Sequence, residues 1–512
     1  MNAPLRFDSR LLDRALAATR RDYDLFIDGA ACKSRDGRVI ERRSPAHGVL
    51  VSRYQQAGPQ EAEAAIAAAR HAFDRGRWSR MKGAERAAVL LKTADLIDAR
   101  REEIALLDTL ESGKPIAQAR GEIEGAADIW RYAAALARDL HGESYSTLGE
   151  AALGVVLREP IGVVTIITPW NFPFLIVAQK LPFALAAGCT CIVKPSEFTS
   201  ASTLLLGQML ADAGLPHGAV NILAGLGGEI GPMLTSDPRV DMLSFTGSTA
   251  VGKGAVRASA ETLKKVSMEL GGKNPQIIFP DADIEAALDA AIFGGFFNAG
   301  ECCNAGSRLL LHKSIVETFT KKLVERCRDI PVGDPLDENT RVGALVTPMH
   351  RAKVQAYIDG AVADGAGIAA GGDVPAFAAG DFLAPTVLRD VRPDMAVARE
   401  EVFGPVLSVL TFESADEAVA LANGTIYGLS ASVWSRDIDT CILVGRRLQA
   451  GTVWINTFMD GFAELPFGGY KQSGLGRELG SHGVLDYTEE KTLHIHSGPR
   501  TSWWLSPPSK GG

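Results

Sequence analysis

Between residues 161 and 248, short runs of β-branched and other apolar residues alternate with segments that have the apolar spacing of helices. The runs are IGVVTIITPW, CTCIVKP, AVNILAG and VDMLSFTGS, and segments such as LIVAQKLPFALAAG and TLLLGQMLADAG lie between them. Buried strands that alternate with helices form βαβ units, in which helices cover both faces of a mostly parallel sheet. This alternation predicts an α/β fold.

The rest of the chain adds helices and a second α/β region. Residues 60 to 140 are rich in alanine and have apolar residues at helical spacing, which predicts several amphipathic helices. Further strands and helices begin at NPQIIFPDADIEAALDAAIFGGFF and continue past SVLTFESADEAVALANG. With 512 residues the chain exceeds what one core usually supports, so we expect a second domain here. GVLDYTEEKTLHIH predicts a late strand whose partner is distant in sequence.

Composition and charge restrict the partners and the compartment. The formal net charge of −8 leaves no basic stripe to displace counterions, so we expect no nucleic-acid partner. No uninterrupted apolar run is long enough to span a bilayer, so we expect no membrane association. Seven irregularly spaced cysteines do not resemble a disulfide framework, and the N-terminal segment lacks the apolar stretch of a secretory signal. Both observations fit the cytoplasm.

We expect no metal site. Cys189 and Cys191 share one face of a predicted strand, but no second Cys or His pair accompanies them at zinc spacing. The nine histidines form no ligand motif, and core packing explains the two cysteines better.

A glycine-containing turn gives a first indication of nucleotide binding. In SFTGSTAVGKG, Gly247 and Gly252 follow an apolar strand and precede a predicted helix, whose exposed N–H groups and dipole stabilise a phosphate. The pattern is neither G-x-G-x-x-G nor a Walker loop, so simple chain reversal explains it equally well. Lys194 and Glu197 of IVKPSE follow a neighbouring strand, at the edge where α/β sheets bind ligands. Their side chains suit hydrogen bonds to ribose hydroxyls, and an ordinary ion pair on the surface explains them as well.

Three separated segments contain reactive groups. PWNFP provides the amide of Asn171, MELGGKNP the carboxylate of Glu269, and FFNAGECCNAGSR the adjacent thiols of Cys302 and Cys303. A reaction that takes a carbonyl compound through a thioester requires three groups: a thiol nucleophile, an amide that stabilises the oxyanion and a carboxylate that activates water. Beside a nucleotide-binding fold they indicate oxidation rather than proteolysis. Composition does not distinguish the two sulfurs.

These segments closely resemble the NAD(P)-dependent aldehyde dehydrogenase superfamily, over roughly residues 25 to 495. Further matching segments are FTGSTAVG, KPSE, EEVFGPV and PFGGYKQSGLGRELG. Within the superfamily, WINTF and PFGGYKQSG are similar to members that act on betaine aldehyde or aminoaldehydes. Ala250 and Glu301 depart from the commoner residues of the matching segments, which are acidic and Gln respectively.

The resemblance implies a role for each matching residue. Cys303 is the nucleophile, and the Asn171 side chain and the Cys303 N–H stabilise the oxyanion. Glu269 activates the water that hydrolyses the thioester, and Lys180 and Glu478 relay its proton. The implied cofactor-binding residues are Ile167, Trp170, Lys194, Glu197, Gly247, Ser248, Val251, Gly252, Glu401 and Phe403. The cofactor is NAD, since Glu197 repels a 2′-phosphate, although NADP is possible.

The resemblance also implies a substrate tunnel leading to the cysteine. Its residues are Phe172, Ile176, Gln179, Cys302, Asn304, Phe458 and Phe467. Asp460 and Glu464 are expected near its mouth, so a cationic aldehyde is the first substrate hypothesis and neutral aliphatic or aromatic aldehydes the second. Glu269 argues against transfer of the thioester to CoA. Retention of Cys303, Glu269 and Asn171 argues against a binding protein without activity.

The fold implied by the resemblance has three parts. A Rossmann-like cofactor domain comprises residues 1–141 and 161–270, and an α/β catalytic domain comprises residues 271–483. Residues 142–160 and 484–497 form a small β oligomerisation protrusion, followed by a C-terminal tail at 498–512. Because protruding edge strands are usually covered by another subunit, we expect a homodimer or homotetramer.

Overall fold

The computed structural model of the protein describes residues 7–499 and 504–505, so residues 1–6 of the expected cofactor domain and most of the expected tail at 498–512 lie outside the described residues. Within the described part the strands are β1 (Asp22–Tyr23), β2 (Leu25–Ile27), β3 (Ala30–Cys32), β4 (Val39–Arg43), β5 (Leu50–Gln55), β6 (Glu143–Tyr145), β7 (Ala152–Pro160), β8 (Val163–Ile167), β9 (Thr190–Lys194), β10 (Val220–Ile222), β11 (Met242–Thr246), β12 (Lys265–Glu269), β13 (Pro275–Ile278), β14 (Arg308–His312), β15 (Gly367–Ala370), β16 (Thr386–Arg389), β17 (Val406–Phe412), β18 (Ser430–Trp434), β19 (Thr452–Ile455), β20 (Gly474–Leu475) and β21 (Thr488–His496).

The helices of the same residues are α1 (Ser9–Ala18), α2 (Pro59–Asp74), α3 (Gly83–Ala99), α4 (Arg101–Ser112), α5 (Ile116–Asp139), α6 (Pro173–Ala187), α7 (Ala201–Ala213), α8 (Gly227–Ser236), α9 (Thr249–Ala260), α10 (Ile284–Phe296), α11 (Val316–Cys327), α12 (Pro348–Ala363), α13 (Ala396–Arg399), α14 (Ala415–Asn423), α15 (Ile438–Arg447) and α16 (Gly480–Leu485). Short 3₁₀ turns occupy Trp78–Arg80, Phe297–Gly300 and Lys471–Ser473.

The first large sheet contains the strands predicted between residues 161 and 248. Its eight strands have the order β20-β12-β11-β8-β9-β10-β2-β3, and the five from β12 to β10 are parallel. Strand β20 is antiparallel at one edge, and β2 and β3 are antiparallel at the other. The central strands β9 and β11 are buried throughout rather than at alternate residues, because helices cover both faces. The predicted mostly parallel sheet is confirmed.

Helix α6 connects two central strands of this sheet and begins beside the candidate site. Pro173 occupies its first turn, where a missing N–H costs no intrahelical bond, and Gly188 ends it at φ 101°. Nearly all of its residues are buried, as expected for an apolar helix packed against a sheet and a second helix layer. Asn171 and Phe172 immediately precede this helix.

The second large sheet contains the later α/β region. Its order is β15-β16-β17-β14-β13-β18-β19, with every neighbouring pair parallel except β15 and β16. The two large sheets have separate apolar cores, one including Ile166 and Ile192 and the other including Ile277 and Leu310. The expected second set of strands and helices is therefore confirmed.

A small antiparallel sheet of β21, β7 and β6 contains the late strand. Strand β21 pairs with β7 from Thr488 opposite Pro160 to His496 opposite Ala152, so its partner is distant in sequence, as predicted. All of β21 after Thr488 is exposed. A second three-stranded sheet has the order β1-β5-β4.

Three global findings complete the fold. Among residues 7–499 and 504–505, no helix is both long enough and apolar enough to cross a bilayer. The same residues contain no cluster of three or more His, Cys, Asp or Glu side chains suited to a metal ion. All seven cysteines lie in the described part and are free thiols.

Candidate active site

The eight-stranded sheet brings three predicted site residues to its carboxyl edge. Glu269 is the last residue of β12, Ile167 the last of β8, and Lys194 the last of β9. Because these strands are parallel, their carboxyl ends meet at one edge, where α/β sheets bind ligands. Pairing between the strands therefore fixes the position of Glu269 at this edge.

The turn between β11 and α9 has the features of an anion site. Ser248 caps α9 and its Oγ accepts the Val251 N–H at 3.4 Å. Val251 is 59% exposed, so the start of this helix is open to a ligand. A Cβ on Gly252 would stand 2.5 Å from a Leu270 methyl, so a side chain there would displace Leu270. Gly247 precedes the cap and donates its N–H to the Glu269 carbonyl at 3.1 Å.

Lys194 and Glu197 form a pair beside the first sheet. The Lys194 Nζ lies 3.6 Å from a Glu197 carboxylate oxygen. Lys194 is buried, and burial lowers its pKa. Its Nζ lies 4.0 Å from where a Cβ of Gly227 would stand, at the first residue of α8. A lysine and a carboxylate in this position can both hydrogen-bond ribose hydroxyls.

The cysteine segment follows α10 through a strained turn. Asn298 and Ala299 have left-handed backbones, with φ of 52° and 54°. The Asn298 side chain donates to the carbonyls of Asn171 and Glu301, both at 3.0 Å. The Asn171 amide also donates to the Glu301 carbonyl at 3.0 Å, which leaves its second N–H for a ligand. Asn171 is thus brought to the segment that contains the two cysteines.

A second asparagine supports the same segment from the other side. The Asn274 amide donates to the carbonyls of Cys303, at 2.7 Å, and Ala305, at 2.9 Å. The structure thus gives structural roles to Asn298 and Asn274, which the sequence analysis quoted without assigning a function. Asparagine tolerates a left-handed backbone, and that preference is the sequence signal that marks Asn298.

Cys303 and Glu269 both have raised pKa values. The neighbouring Cys302 side chain, burial and the charges of Glu269 and Glu401 raise the pKa of Cys303 well above its usual value. Burial, followed by the charge of Glu478, raises the pKa of Glu269. Within the residues described, Glu269 Oε1 has no hydrogen-bond partner. A buried carboxyl with a raised pKa and an unpartnered oxygen is suited to accept a proton from a water molecule.

The predicted relay residues are in contact. The Lys180 ammonium donates to a Glu478 carboxylate oxygen and, at 3.3 Å, to the Ser244 hydroxyl. Both members of the pair are buried, and burial raises the pKa of Glu478 while Lys180 opposes that shift. Glu478 is close enough to raise the pKa of Glu269, so the pair lies directly behind the candidate base.

Glu401 closes the site from the second sheet. Its Oε1 accepts the Gly272 N–H at 2.8 Å, and a Cβ on Gly271 would stand 2.2 Å from its Oε2, so a side chain there would displace the Glu401 carboxylate. Burial raises the pKa of Glu401 to about 7. Lys353, which the sequence analysis did not single out, lowers that pKa by its charge.

Aromatic rings stand near Glu401. Phe403 has φ 60°, and its ring meets Trp170 edge to face with centroids 5.5 Å apart.

Some of the predicted tunnel residues form one apolar cluster. Phe172, Ile176 and Cys302 pack together with Ala305, and Phe172 stacks on Phe297 with centroids 6.2 Å apart. The other predicted tunnel residues lie outside this buried cluster and are Gln179, Asn304, Phe458 and Phe467.

Each of these four has a different environment. Gln179 is half-buried on α6, and Asn304 is half-buried next to Cys303. Phe458 lies 5.1 Å from Trp454 between ring centroids. Phe467 packs against the core of the first sheet, and its backbone forms a bridge with Glu478.

A buried lysine behind this cluster had no sequence signal. The Lys114 ammonium lies 4.4 Å from the centroid of the Phe172 ring. Lys114 also forms a salt bridge with Glu122, and both side chains are buried. Lys114 therefore places a positive charge against the Phe172 ring, and only the three-dimensional packing reveals it.

The arrangement fits a nucleotide beside a reactive thiol. The open start of α9, the Lys194 and Glu197 pair and the Glu401 carboxylate supply phosphate and ribose contacts, and the unpartnered Glu269 oxygen lies beside them. The fold and the site together define an oxidoreductase that works through a cysteine.

Comparisons with known proteins agree with this class. The model of the aldehyde dehydrogenase family matches residues 32–493, and the chain belongs to that family. It is 42% identical over 485 residues to betaine aldehyde dehydrogenase of Bacillus subtilis (strain 168), covering 94% of this chain and 99% of the relative. It is 43% identical over 494 residues to aminoaldehyde dehydrogenase 2 of Zea mays, covering 95% and 98%.

A solved structure matches the whole fold. The crystal structure of an NAD-dependent aldehyde dehydrogenase from Sinorhizobium meliloti is 48% identical, covers 98% of this chain and is itself covered to 99%, with a TM-score of 0.96. The predicted family and the aldehyde dehydrogenase fold are confirmed.

Proposed function

We propose that the chain oxidises an aldehyde to its carboxylic acid with NAD as the acceptor, and that Cys303, Glu269 and Asn171 perform the chemistry. The observation that supports this most directly is their convergence on residues 301 to 303. Asn171 donates to the Glu301 carbonyl at 3.0 Å, and the charge of Glu269 acts on the Cys303 thiol.

The proposed steps use groups that are already in place. The Cys303 thiol, which is partly exposed, gives its proton to solvent and the sulfur attacks the aldehyde carbon, and the second N–H of Asn171 and the Cys303 N–H stabilise the oxyanion. NAD supplies the acceptor for the hydride that leaves this carbon. The free Oε1 of Glu269 then takes a proton from the water that hydrolyses the thioester. The Glu478 and Lys180 pair behind Glu269 receives that proton.

The residues proposed to hold NAD fit its three parts. The start of α9 at Ser248 suits the pyrophosphate, the Lys194 and Glu197 pair the adenosine ribose, and Glu401 the nicotinamide ribose. The Glu197 carboxylate is 30% exposed and repels a 2′-phosphate, which favours NAD over NADP. The Sinorhizobium meliloti relative is NAD-dependent, which supports the same choice.

We propose an aldehyde with a positively charged amine as the substrate. Two carboxylates, Asp460 and Glu464, are exposed on the segment that also contains Met459, and Met459 packs against the apolar cluster around Cys302. Aromatic faces such as the stacked Phe172 attract a cation electrostatically. Relatives named for betaine aldehyde and aminoaldehydes support this proposal.

A specific observation favours a second candidate, neutral aliphatic or aromatic aldehydes. The wall formed by Phe172, Ile176 and Ala305 is apolar, and the Lys114 ammonium already lies against the Phe172 ring. That positive charge opposes a second cation on the same ring system, although Glu122 offsets part of it.

Steady-state kinetics distinguish the two candidates and test the function itself. NADH formation is measured with betaine aldehyde, 4-aminobutanal, hexanal and benzaldehyde, with NAD and with NADP. The proposal predicts the highest kcat/KM with a cationic aldehyde and NAD, and no requirement for CoA. Higher kcat/KM with hexanal or benzaldehyde would contradict the cationic substrate. No NADH with any aldehyde would contradict the function.

We also propose that the sheet of β21, β7 and β6 mediates a homodimer or homotetramer. The two large sheets are proposed to form the cofactor and catalytic domains, with edge strand β20 of the catalytic segment added to the first sheet. Leu153, Leu493 and Ile495 are 40 to 46% exposed on this small sheet, and apolar side chains on a protruding edge are usually covered by another subunit. Sedimentation velocity tests the assembly. Replacing Leu493 and Ile495 by Asp is expected to shift it toward monomers.

A further inference from the structure

His350, in the first turn of α12, lies between the two segments that form the reactive end of the site. Its Nε2 is 2.7 Å from the Phe403 carbonyl oxygen and 3.6 Å from Glu301 Oε1. Its ring meets Trp170 and Phe403 edge to face, with centroids 5.4 and 6.1 Å apart. No motif in the sequence marks this histidine.

The direction of the shorter contact follows from chemistry. A carbonyl oxygen only accepts hydrogen bonds, so a 2.7 Å approach requires the proton on Nε2 of His350. Burial, together with the charge of Lys353, lowers the pKa of His350, although the Phe403 contact raises it in part. The imidazole is therefore neutral near pH 7, and its one N–H donates to Phe403.

Phe403 needs such support. Its φ of 60° lies in the left-handed region, which is unfavourable for a residue with a bulky side chain. The ring of Phe403 packs against Trp170, another residue proposed to contact the cofactor. A bond to the carbonyl of a strained residue favours the one backbone orientation that makes it.

The same nitrogen faces the cysteine segment. Glu301 is buried, its Oε1 accepts the Val346 N–H at 3.0 Å, and its own carbonyl accepts the Asn171 amide. Glu301 is two residues before Cys303. His350 thus donates to the segment of Phe403 and lies close to, without bonding, the segment of the nucleophile.

We propose that His350 is a positioning residue for the nicotinamide end of the cofactor: its Nε2–H holds Phe403 in the left-handed conformation that places the ring beside the nicotinamide. This inference rests on the proposed function, which assigns Glu401, two residues before Phe403, to the nicotinamide ribose. His350 itself acts through Phe403 and does not touch the reacting atoms.

The test compares two ligands that differ at the nicotinamide. The Kd values of NAD and of ADP-ribose, which lacks that ring, are measured by calorimetry for the wild type and His350→Leu. We expect His350→Leu to raise the Kd of NAD by about 5- to 20-fold, the usual effect of losing one hydrogen bond to a buried group. The Kd of ADP-ribose should stay within about 2-fold of the wild-type value.

Three further variants separate positioning from simple damage. The Gln in His350→Gln keeps a donor of similar reach and is expected to restore NAD affinity to within about 3-fold, whereas the shorter amide of His350→Asn is not. This Gln and Asn pair preserves the test if the Leu variant does not fold. His312→Leu is the matched control, because His312 also donates to a carbonyl, of Glu413 at 3.2 Å, beside a phenylalanine, but at an exposed site.

The outcomes are distinct. This proposal alone would be overturned if His350→Leu raised the Kd values of NAD and ADP-ribose equally, or raised neither. Equal Kd values of NAD for the Gln and Asn variants would also overturn it. A wild-type protein that binds neither ligand would overturn the proposed function and this proposal with it.

Discussion

The two large sheets contribute to the site in different ways. The eight-stranded sheet places Glu269 and Lys194 at the last residues of strands β12 and β9. The seven-stranded sheet contributes Cys303 and Glu401 from loops, one before β14 and the other between α13 and β17. The first side is positioned by strand pairing and the second by irregular backbone.

That difference shows where the molecule needs support. A residue at a strand end is fixed by the ladder, so Glu269 requires no unusual backbone. The loops need left-handed residues such as Asn298 and Phe403, glycines such as Gly271, and amide side chains that bond their carbonyls. We therefore expect substitutions on the first side to change rates, and substitutions in the loops to change both rate and local stability.

The largest effect is expected at the nucleophile. Cys303→Ala should lower kcat by about 10⁴-fold or more, because covalent attack is lost, while NAD binding persists. Cys302→Ala is the matched control and should change KM for the aldehyde with kcat within about 2-fold, since Cys302 belongs to the apolar cluster. Kinetics and NAD calorimetry provide the measurement. Equal loss of activity in both variants would contradict the assignment.

Asn171 tests the first-sheet side of the site, from the loop between β8 and α6. Asn171→Ala should lower kcat by about 10²- to 10³-fold, the usual cost of removing one oxyanion donor. The Tm should stay close to that of the wild type, because the Glu301 carbonyl keeps the Asn298 bond at 3.0 Å. A large fall in Tm without a specific fall in kcat would show that Asn171 is structural.

Asn298 tests the loops of the second side, and its replacement should lower the Tm as well as kcat. Asn298→Ala removes two bonds, to the Asn171 and Glu301 carbonyls, and leaves a left-handed alanine. We expect a lower Tm, by about 2 °C, and a fall in kcat of about 10-fold. Asn298→Gly is the control, because it relieves the backbone but not the lost bonds, and should recover part of the Tm only. A kcat that returns to the wild-type value in this glycine variant would be inconsistent with the role given to the amide.

Glu401 gives the smallest effect, visible as a pH dependence. Because burial raises its pKa to about 7, Glu401 is ionised above that pH and protonated below it. The ionised form is the better acceptor for ribose hydroxyls, so the Kd of NAD should rise by about 3- to 10-fold from about pH 8 to about pH 6. The Glu401→Gln variant should bind NAD more weakly than the wild type at high pH, and its Kd for NAD should no longer change with pH. An unchanged profile in that variant would assign the titration to another group.

The sequence predicted much of this molecule, and the reasons are physical. Continuous apolar runs such as VVTII and MLSFT predict buried parallel strands, and the structure contains them as β8 and β11. The family resemblance indicated the segments of Cys303 and Glu269 because reactive groups occur there in specific contexts. The same segments predicted the family and the fold, and both are confirmed.

The supporting residues could not be predicted. His350, Lys114 and Asn274 act through partners distant in sequence, and no local pattern reports a hydrogen bond between α12 and the Phe403 carbonyl. The left-handed Phe403 is also invisible in sequence, since phenylalanine carries no preference for that backbone. Such residues become evident only when the two sheets are assembled.

The most direct test of the central claim is to trap the thioester. Glu269→Gln is incubated with aldehyde and NAD, quenched in acid and analysed by intact-mass and peptide mass spectrometry, alone and combined with Cys302→Ala or Cys303→Ala. The account predicts an acyl adduct in Glu269→Gln and in its Cys302→Ala combination, and none in its Cys303→Ala combination. An adduct that persists without Cys303, or none in Glu269→Gln itself, would contradict the division of labour between the thiol and the carboxylate.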